Sequence, residues 1–144
     1  MATRLSDRIA GEQAALRRVA TLVARAAGPE EVFAAVAEEA GRLLGAHHAW
    51  MTRYEPNGAA RVVATWSSTG AAVPAGTRLS PGGRNVYTLV FQTGRPARID
   101  GSTDATGLVA DLAREFGYGA AGSGWWRWVA GHVHPDGSWP AFWL

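Results

Sequence analysis

An Asn-Gly dipeptide between two strand-like stretches is the feature that most constrains how this chain folds. The segment from His48 to Tyr54 alternates side chains between two faces, and residues 60–66 are apolar and β-branched. Between them lies the turn Glu55-Pro56-Asn57-Gly58. Asn-Gly is the dipeptide that tight β-hairpin turns favour, because both residues tolerate positive φ. The sequence therefore predicts an antiparallel hairpin over residues 48–66.

The segment after the hairpin predicts a short strand, a short helix and a return strand. Thr77 to Leu79 has the length of an edge strand and is ended by Pro-Gly-Gly at 81–83. Asn85 is a helix-capping residue, and apolar residues follow it at helical spacing up to Gly94. Gly94 is expected to end this helix, since Arg95-Pro96 cannot continue it. A strand is then predicted over 97–99.

Two helices are predicted before the hairpin, over 3–27 and from Pro29 to Gly45. The second has a broad apolar face that is expected to pack on the sheet, with Glu38, Glu39 and Arg42 on the solvent side. In the first helix, apolar residues recur in steps of three and four, which is typical of a parallel coiled-coil dimer. Its apolar seam residues are Leu5, Ile9, Leu16, Val19 and Val23, and Glu12 occupies one seam position. The alternative is a single amphipathic helix packed on its own domain, since several alanines widen the apolar face.

The C-terminal part divides into a helix and a tryptophan-rich tail. A helix is predicted over about 106–116, capped by a Ser or Asp of the 100–104 loop. Five of the seven tryptophans then lie in the last twenty residues. Strands are predicted over 125–133 and 138–144, joined by a turn at 135–137.

Composition excludes several classes of protein. The 144 residues are 47% hydrophobic and 18% charged, which is typical of one globular domain. No apolar run reaches the roughly 20 residues that span a bilayer, and the charged N-terminus lacks a signal sequence, so a cytoplasmic location is expected. A net charge of +2, from arginines scattered among acidic residues, gives no nucleic-acid footprint. Cysteine and lysine are absent, which excludes thiolate chemistry, a P-loop and a Schiff-base lysine.

No catalytic or metal-binding constellation is evident. Residues 117–122 match GxGxxG, but a helix precedes them and tryptophans follow, so coincidence is the favoured interpretation. The adjacent His47 and His48 point to opposite faces of a strand, and His132 with His134 lack a third ligand. A single axial haem ligand among the four histidines stays open. The chain is therefore expected not to be an enzyme.

Three segments, by their amino-acid sequences and their order along the chain, resemble the GAF domain, a ligand-sensing module of signalling proteins. They are residues 29–68, 82–100 and 113–118, and the likeness is closest to GAF domains of actinobacterial sensor histidine kinases. The resemblance implies an α+β fold with an antiparallel sheet flanked by helices. It also implies a non-catalytic, small-molecule-sensing role in a two-component system. The expected organisation is a signalling helix (1–27), a GAF domain (28–118) and a divergent tail (119–144).

The implied ligand site lies between the sheet and the connections from 70 to 116. Polar candidates are Arg84 and Asn85, beside backbone N–H groups that suit an anion. The plainer alternative is a loop with an Asn cap, and ordinary core is the alternative for each apolar residue. The expected apolar walls are Val63, Trp66, Val86, Leu89, Val90, Leu108 and Leu112.

Departures from the family qualify the expected function. The Asn-Lys-Phe-Asp-Glu pattern of cyclic-nucleotide-binding members and the chromophore-linking cysteine of phytochrome-type members are both absent, and the cofactor is left unassigned. The family's Trp-Gly strand is also missing after Tyr118, so a fragment or frameshifted form of a sensor kinase is expected. A genuinely divergent tail is the alternative. Alternatives are a dimerisation scaffold without a ligand, or a GAF-type enzyme such as a sulfoxide reductase, which the lack of cysteine disfavours.

Overall fold

A computed structural model of the chain describes residues 2–97, 99, 105–116 and 140–143. The helices in this part of the chain are α1 (Ala2–Ala24), α2 (Pro29–Leu43), α3 (Val86–Thr93) and α4 (Leu108–Glu115). The strands are β1 (His48–Tyr54), β2 (Ala60–Ser67), β3 (Arg78–Leu79) and β4 (Pro140–Trp143). None of the described helices is both long and apolar enough to cross a membrane.

The strands form one antiparallel sheet in the order β3-β2-β1-β4. The predicted hairpin is confirmed, and its turn is closed by the Gly58 amide donating to the Glu55 carbonyl at 3.0 Å. β3 is the predicted edge strand, paired with the start of β2. The α+β architecture, an antiparallel sheet flanked by helices, is confirmed.

A β-bulge interrupts the hairpin and reverses the side-chain alternation of β2. Met51 pairs with Ala64 and Thr52 pairs with Val62, so Val63 has no partner of its own in this ladder. A bulge of this kind places two residues of one strand opposite one of the other. As a result, Val62 and Ala64 lie on opposite faces of the sheet, although they are two residues apart.

Helix α2 packs on one face of the sheet, as its apolar pattern predicts. Ala37 of α2 is buried with Met51 and Ala64, and Gly41 lies so close to the Trp66 ring that a β-carbon would not fit. Pro29 begins the helix and Glu30 lies in its first turn, where both residue types are favoured.

Helix α1 packs on α2 through a small-residue stripe and one ion pair. Ala15 is buried there, and Arg18 of α1 donates through Nη2 to a Glu39 carboxylate oxygen of α2 at 2.6 Å. Glu39 is only 8% exposed, so the expectation that it lies on a solvated face is wrong. The pattern of α2 alone does not reveal the second helix that covers this position.

Three local features differ from prediction: the end of α1, the strand over 97–99 and the cap of α4. α1 ends at Ala24 rather than 27, and Ala26 takes a left-handed φ of 55° at the turn. Ala97 and Ile99 are not in a strand, although their side chains pack against the core, and residue 98 lies outside the described residues. The cap of α4 is Gly107, not a Ser or Asp. Ser102, Asp100 and Asp104, with the strand and turn predicted over 125–137, lie outside the described residues.

We expect Arg18→Ala to lower the melting temperature, because it leaves the Glu39 carboxylate buried without its cation. Hydrogen bonding to Arg18 holds the pKa of Glu39 below its ordinary value of 4.5. A lowered folded-state pKa stabilises the fold above pH 4.5, and this stabilisation is lost as the pH falls through the folded value. The difference between variant and parent should therefore shrink in acid. Thermal melts between pH 3 and 7, with the exposed Arg17→Ala as control, measure this; a pH-independent difference would contradict it.

Candidate functional site

Helix α3 covers the other face of the sheet and forms most of a continuous apolar cluster there. Asn85 begins the helix as predicted, accepting from the Thr88 amide at 2.9 Å, and Gly94 ends it with φ 62°. The buried members of the cluster are Trp50, Tyr54, Ala60, Val62, Val73, Leu79, Val86, Tyr87, Val90 and Val109.

Two tyrosine hydroxyls tie α3 to the hairpin. The Tyr87 hydroxyl donates to the carbonyl of Gly58 in the hairpin turn, and the Tyr54 hydroxyl donates to the Tyr87 carbonyl at 3.0 Å. The two rings stack with centroids 5.0 Å apart, and Phe91 lies 5.4 Å from Tyr54. Burial raises the pKa of both tyrosines, that of Tyr87 to about 12, so both hydroxyls stay protonated donors.

Gly58 is required at the turn for two reasons. Its φ is 82°, a conformation that other residues rarely adopt. A β-carbon there would also lie 3.0 Å from the Phe91 ring. The same residue that makes the turn therefore allows α3 to approach the hairpin.

The loop before α3 is bonded to the loop before α4. The Arg84 amide donates to the Thr106 hydroxyl at 2.8 Å, and the Thr106 amide donates to the Arg84 carbonyl at 2.9 Å. The Asn85 side-chain amide donates to the Gly82 and Thr106 carbonyls, each at 3.0 Å. Asn85 is thus engaged by the protein at both ends of its side chain, while the Arg84 side chain is exposed.

The predicted apolar wall residues of α3 and α4 fall into two groups by their burial. Val86 and Val90 are buried in the cluster, and Leu112 packs against it. Leu89 is half-buried, and Leu108 is exposed on α4. Whether these side chains contact a ligand remains a prediction; in the structure Val86 and Val90 are packed core.

Val63 and Trp66 do not lie on this face. Both pack against the cluster beneath α2, on the opposite side of the sheet from α3. In a regular strand Val63 and Trp66, three residues apart, would lie on opposite faces. The bulge brings Trp66 to the α2 side, where Val63 also packs, while Thr65 faces α3. The expectation that these two residues join α3 in one pocket is therefore corrected.

Two polar residues that are not among the predicted pocket residues take their place. Thr65 pairs with Trp50, and His48 pairs with Ser67, on the α3 side of the sheet. The Thr65 hydroxyl oxygen is buried and has no hydrogen-bond partner among the residues that the structure describes. A buried hydroxyl left unpaired carries a free-energy cost, so this group is suited to accept a partner from a ligand.

His48 adds a titratable group at the same end of the sheet. Burial, with a smaller effect from neighbouring His47, lowers its pKa below the ordinary 6.5, opposed by a hydrogen bond with the Ala71 backbone. The ring is therefore neutral at pH 7, and protonating it as the pH falls below 6.5 costs stability. His47 itself lies outside the strand and is exposed. Within the described ranges, no three His, Cys, Asp or Glu side chains cluster as metal ligands do.

The GxGxxG match and the His132–His134 pair lie outside the described residues. Asp111 forms an ion pair with Arg114 at 2.9 Å on the surface of α4.

Comparison with known proteins finds similarity at the level of structure. No protein-family model matches the chain. No curated protein matches it either. Among solved structures, the phycoerythrobilin-bound GAF domain of a cyanobacterial phytochrome is similar, at 20% identity and a TM-score of 0.44. That match covers 49% of this chain and 37% of the other.

A second similar structure is the phycocyanobilin-bound GAF domain of a cyanobacterial phytochrome, at 20% identity and a TM-score of 0.43. It covers 47% of this chain and 38% of the other, so the matched part spans under two-fifths of each of these structures. Apart from the strand expected over 97–99, the order of helices and strands from α1 to α4 is the order on which the sequence resemblance rests. The assignment of the chain to a GAF-like domain stays a prediction.

We expect Thr65→Val to raise the free energy of unfolding of the ligand-free protein by about 1 kcal/mol, because it removes an unpaired buried hydroxyl. Thr88→Val is the matched control, since the Thr88 hydroxyl donates to the Gly82 carbonyl at 3.1 Å and its loss should destabilise the protein. Urea unfolding of the three proteins measures both effects. Equal destabilisation by both substitutions would show that the Thr65 hydroxyl is already satisfied.

Proposed function

We propose that this chain is a non-catalytic, small-molecule-sensing regulatory domain of the GAF type. The observation that carries the proposal is the contrast between the two faces of the sheet. One face is covered by the 15-residue α2 over an apolar cluster. The other is covered by two eight-residue helices, and it holds the unpartnered hydroxyl of Thr65 and the half-buried His48.

Such a face suits a ligand because short segments can rearrange at small cost. Each eight-residue helix depends on tertiary contacts for its stability, since isolated helices of that length do not persist in water. Small-molecule sites are mostly apolar with a few polar groups that set orientation. The cluster around Val90 supplies the apolar surface, and Thr65 with His48 supplies polar groups at one end.

Arg84 adds a positive charge at the other end. Its exposed guanidinium has no ion-pair partner among the described residues, and it precedes the first turn of α3, whose amides favour negative charge. These features favour a planar or anionic ligand. The similar phytochrome domains hold bilins, but this chain has no cysteine, so a bilin would have to bind without a thioether link.

The output of the sensor is proposed to pass through α1. Its predicted seam is largely uncovered: Leu5 is 61% exposed, Leu16 is 71% and Val23 is 61%, whereas Val19 is half-buried. An uncovered apolar stripe on a helix favours self-association. We therefore propose a parallel homodimer that links the domain to kinase or other signalling modules. A scaffold without ligand is the second candidate, and the same stripe favours it.

The ligand proposal predicts different roles for two exposed arginines on either side of α3. Arg84→Ala should weaken binding of an anionic ligand by roughly 1.5–3 kcal/mol, the value of a charge-assisted hydrogen bond. Arg95→Ala, past the other end of the helix, should leave the affinity unchanged. A thermal-shift screen of nucleotides, haem, a bilin and aromatic acids identifies a ligand, and calorimetry then compares the variants.

Val90→Trp serves as a second variant for ligands that carry no charge, because it fills the apolar surface under α3. No stabilising compound in the screen, or affinity unchanged in both Arg84→Ala and a folded Val90→Trp, would refute the ligand proposal and leave the scaffold.

The dimer proposal predicts that Leu16→Asp converts the protein to a monomer, because a carboxylate in the seam would have to be desolvated. Ala10→Asp introduces the same charge on another exposed side of α1 and should leave the dimer intact. Sedimentation equilibrium at micromolar concentrations distinguishes them. A parent protein that is already monomeric at high micromolar concentration would contradict the proposal.

A further inference from the structure

Three arginines stand side by side across the sheet, at the hairpin end. Arg53 of β1 is directly opposite Arg61 of β2, and Arg61 is directly opposite Arg78 of β3. We name these three residues the arginine row. Their neighbours Tyr54, Val62 and Leu79 all belong to the cluster under α3. Because successive residues of a strand point to opposite faces, the arginine row lies on the α2 side of the sheet.

The arginine row is exposed, because α2 covers the other end of this face. The side chains of Arg61 and Arg78 are 48% and 57% exposed, and Arg53 is exposed as well. The contacts of α2 are with Met51, Ala64 and Trp66, towards the start of β1. The arginine row therefore occupies an open part of the sheet surface.

Among the described residues, one carboxylate pairs with two of the three guanidinium groups. Glu55 lies 3.1 Å from Arg78 Nη2 and 4.0 Å from Arg61 Nη2, and Arg61 also donates to the Gly76 carbonyl at 3.2 Å. Arg53 makes no ion pair with any residue of the described ranges. The arginine row with Glu55 thus carries a net charge of about +2.

Like charges directly opposite one another in a sheet are destabilising. Exposed ion pairs offset little of this repulsion, and here one carboxylate is shared between two arginines. The side chains of the arginine row do not belong to either core cluster. A binding role on the exposed surface accounts for an arrangement that works against stability.

We propose that the arginine row binds an acidic helix of a partner protein, laid across the strands. Neighbouring strands are about 4.8 Å apart, so the three side chains start from points at that spacing. Acidic residues at i, i+4 and i+7 of a helix are about 5–6 Å apart along one face. Arginine also pairs bidentately with carboxylates, which makes the match directional as well as electrostatic.

A nucleic acid fits the same surface less well. Single-stranded nucleic acid is held by a basic groove together with aromatic side chains on which bases stack. The arginine row contains no aromatic residue, and Glu55 would repel a phosphate backbone. Most acidic residues of the chain's own described helices are already paired with an arginine: Glu12, Glu31, Glu38, Glu39 and Asp111. Asp7, Glu30 and Glu115 lie on three different helices, so no described helix of a second copy presents more than one carboxylate without an ion pair.

The test measures binding of a fluorescent alanine-based helical peptide of about 18 residues with glutamates at i, i+4 and i+7. An isomer with the same glutamates spread around the helix is the peptide control. The protein variants are Arg53→Gln with Arg61→Gln, against Arg4→Gln with Arg95→Gln, which removes the same charge elsewhere. We expect the first pair to weaken binding at least about tenfold and the second to change it less than about twofold.

A second readout does not depend on a peptide. Arg53→Thr should raise the melting temperature of the full chain by about 1–4 °C, because it relieves the opposed charges and places a β-branched residue in the strand. Equal loss of affinity in both double variants, equal binding of the two peptides, or no peptide binding at about 0.15 M salt would overturn the proposal. Tighter, row-dependent binding of a single-stranded oligonucleotide would overturn it in favour of nucleic acid.

Discussion

The antiparallel pairing of β1 with β2 positions the strands and helical layers that surround this hairpin. β3 pairs with β2, β4 pairs with β1, and both helical layers pack on the faces of this hairpin. The bulge at Val63 divides β2 into two halves with opposite alternation. Before the bulge, Val62 packs under α3. After the bulge, Ala64 and Trp66 pack under α2. A shift of one residue in this pairing would exchange the two cores.

The two faces are held by different kinds of contact, and this difference underlies the functional proposals. Beneath α2 the contacts are apolar, and the approach depends on Gly41. Beneath α3 they include two tyrosine hydroxyls bonded to backbone carbonyls, which fix the helix at one end over the hairpin turn. The Thr65 hydroxyl lies on that face without a described partner. The α3 face is thus anchored at one end and holds a buried polar group, whereas the part of the other face that lies beneath α2 is an apolar core.

Local signals predicted much of this structure. Asn57-Gly58, the Asn85 cap and Gly94 each act over a few residues, so the hairpin and α3 could be placed from sequence. The bulge could not be placed from sequence, because Val62, Val63 and Ala64 are all small and apolar. They fit the side-chain alternation of the strand with or without a bulge. Thr65 was missed since a polar residue in a strand usually marks the solvent face. Glu39 was misplaced because its burial comes from Arg18 and α1, which the periodicity of α2 does not reveal. The proposed domain boundaries and the dimer seam remain predictions.

Methyl NMR shows directly whether a small molecule binds on the α3 face of the sheet. A compound from the screen would be titrated into protein labelled at Thr, Val and Ala methyl groups. We expect saturable shifts that centre on Thr65, Val73 and Val90, with little change at Val36 and Ala37 beneath α2. Shifts that centre on Val36 and Ala37, with Thr65 unmoved, would contradict it.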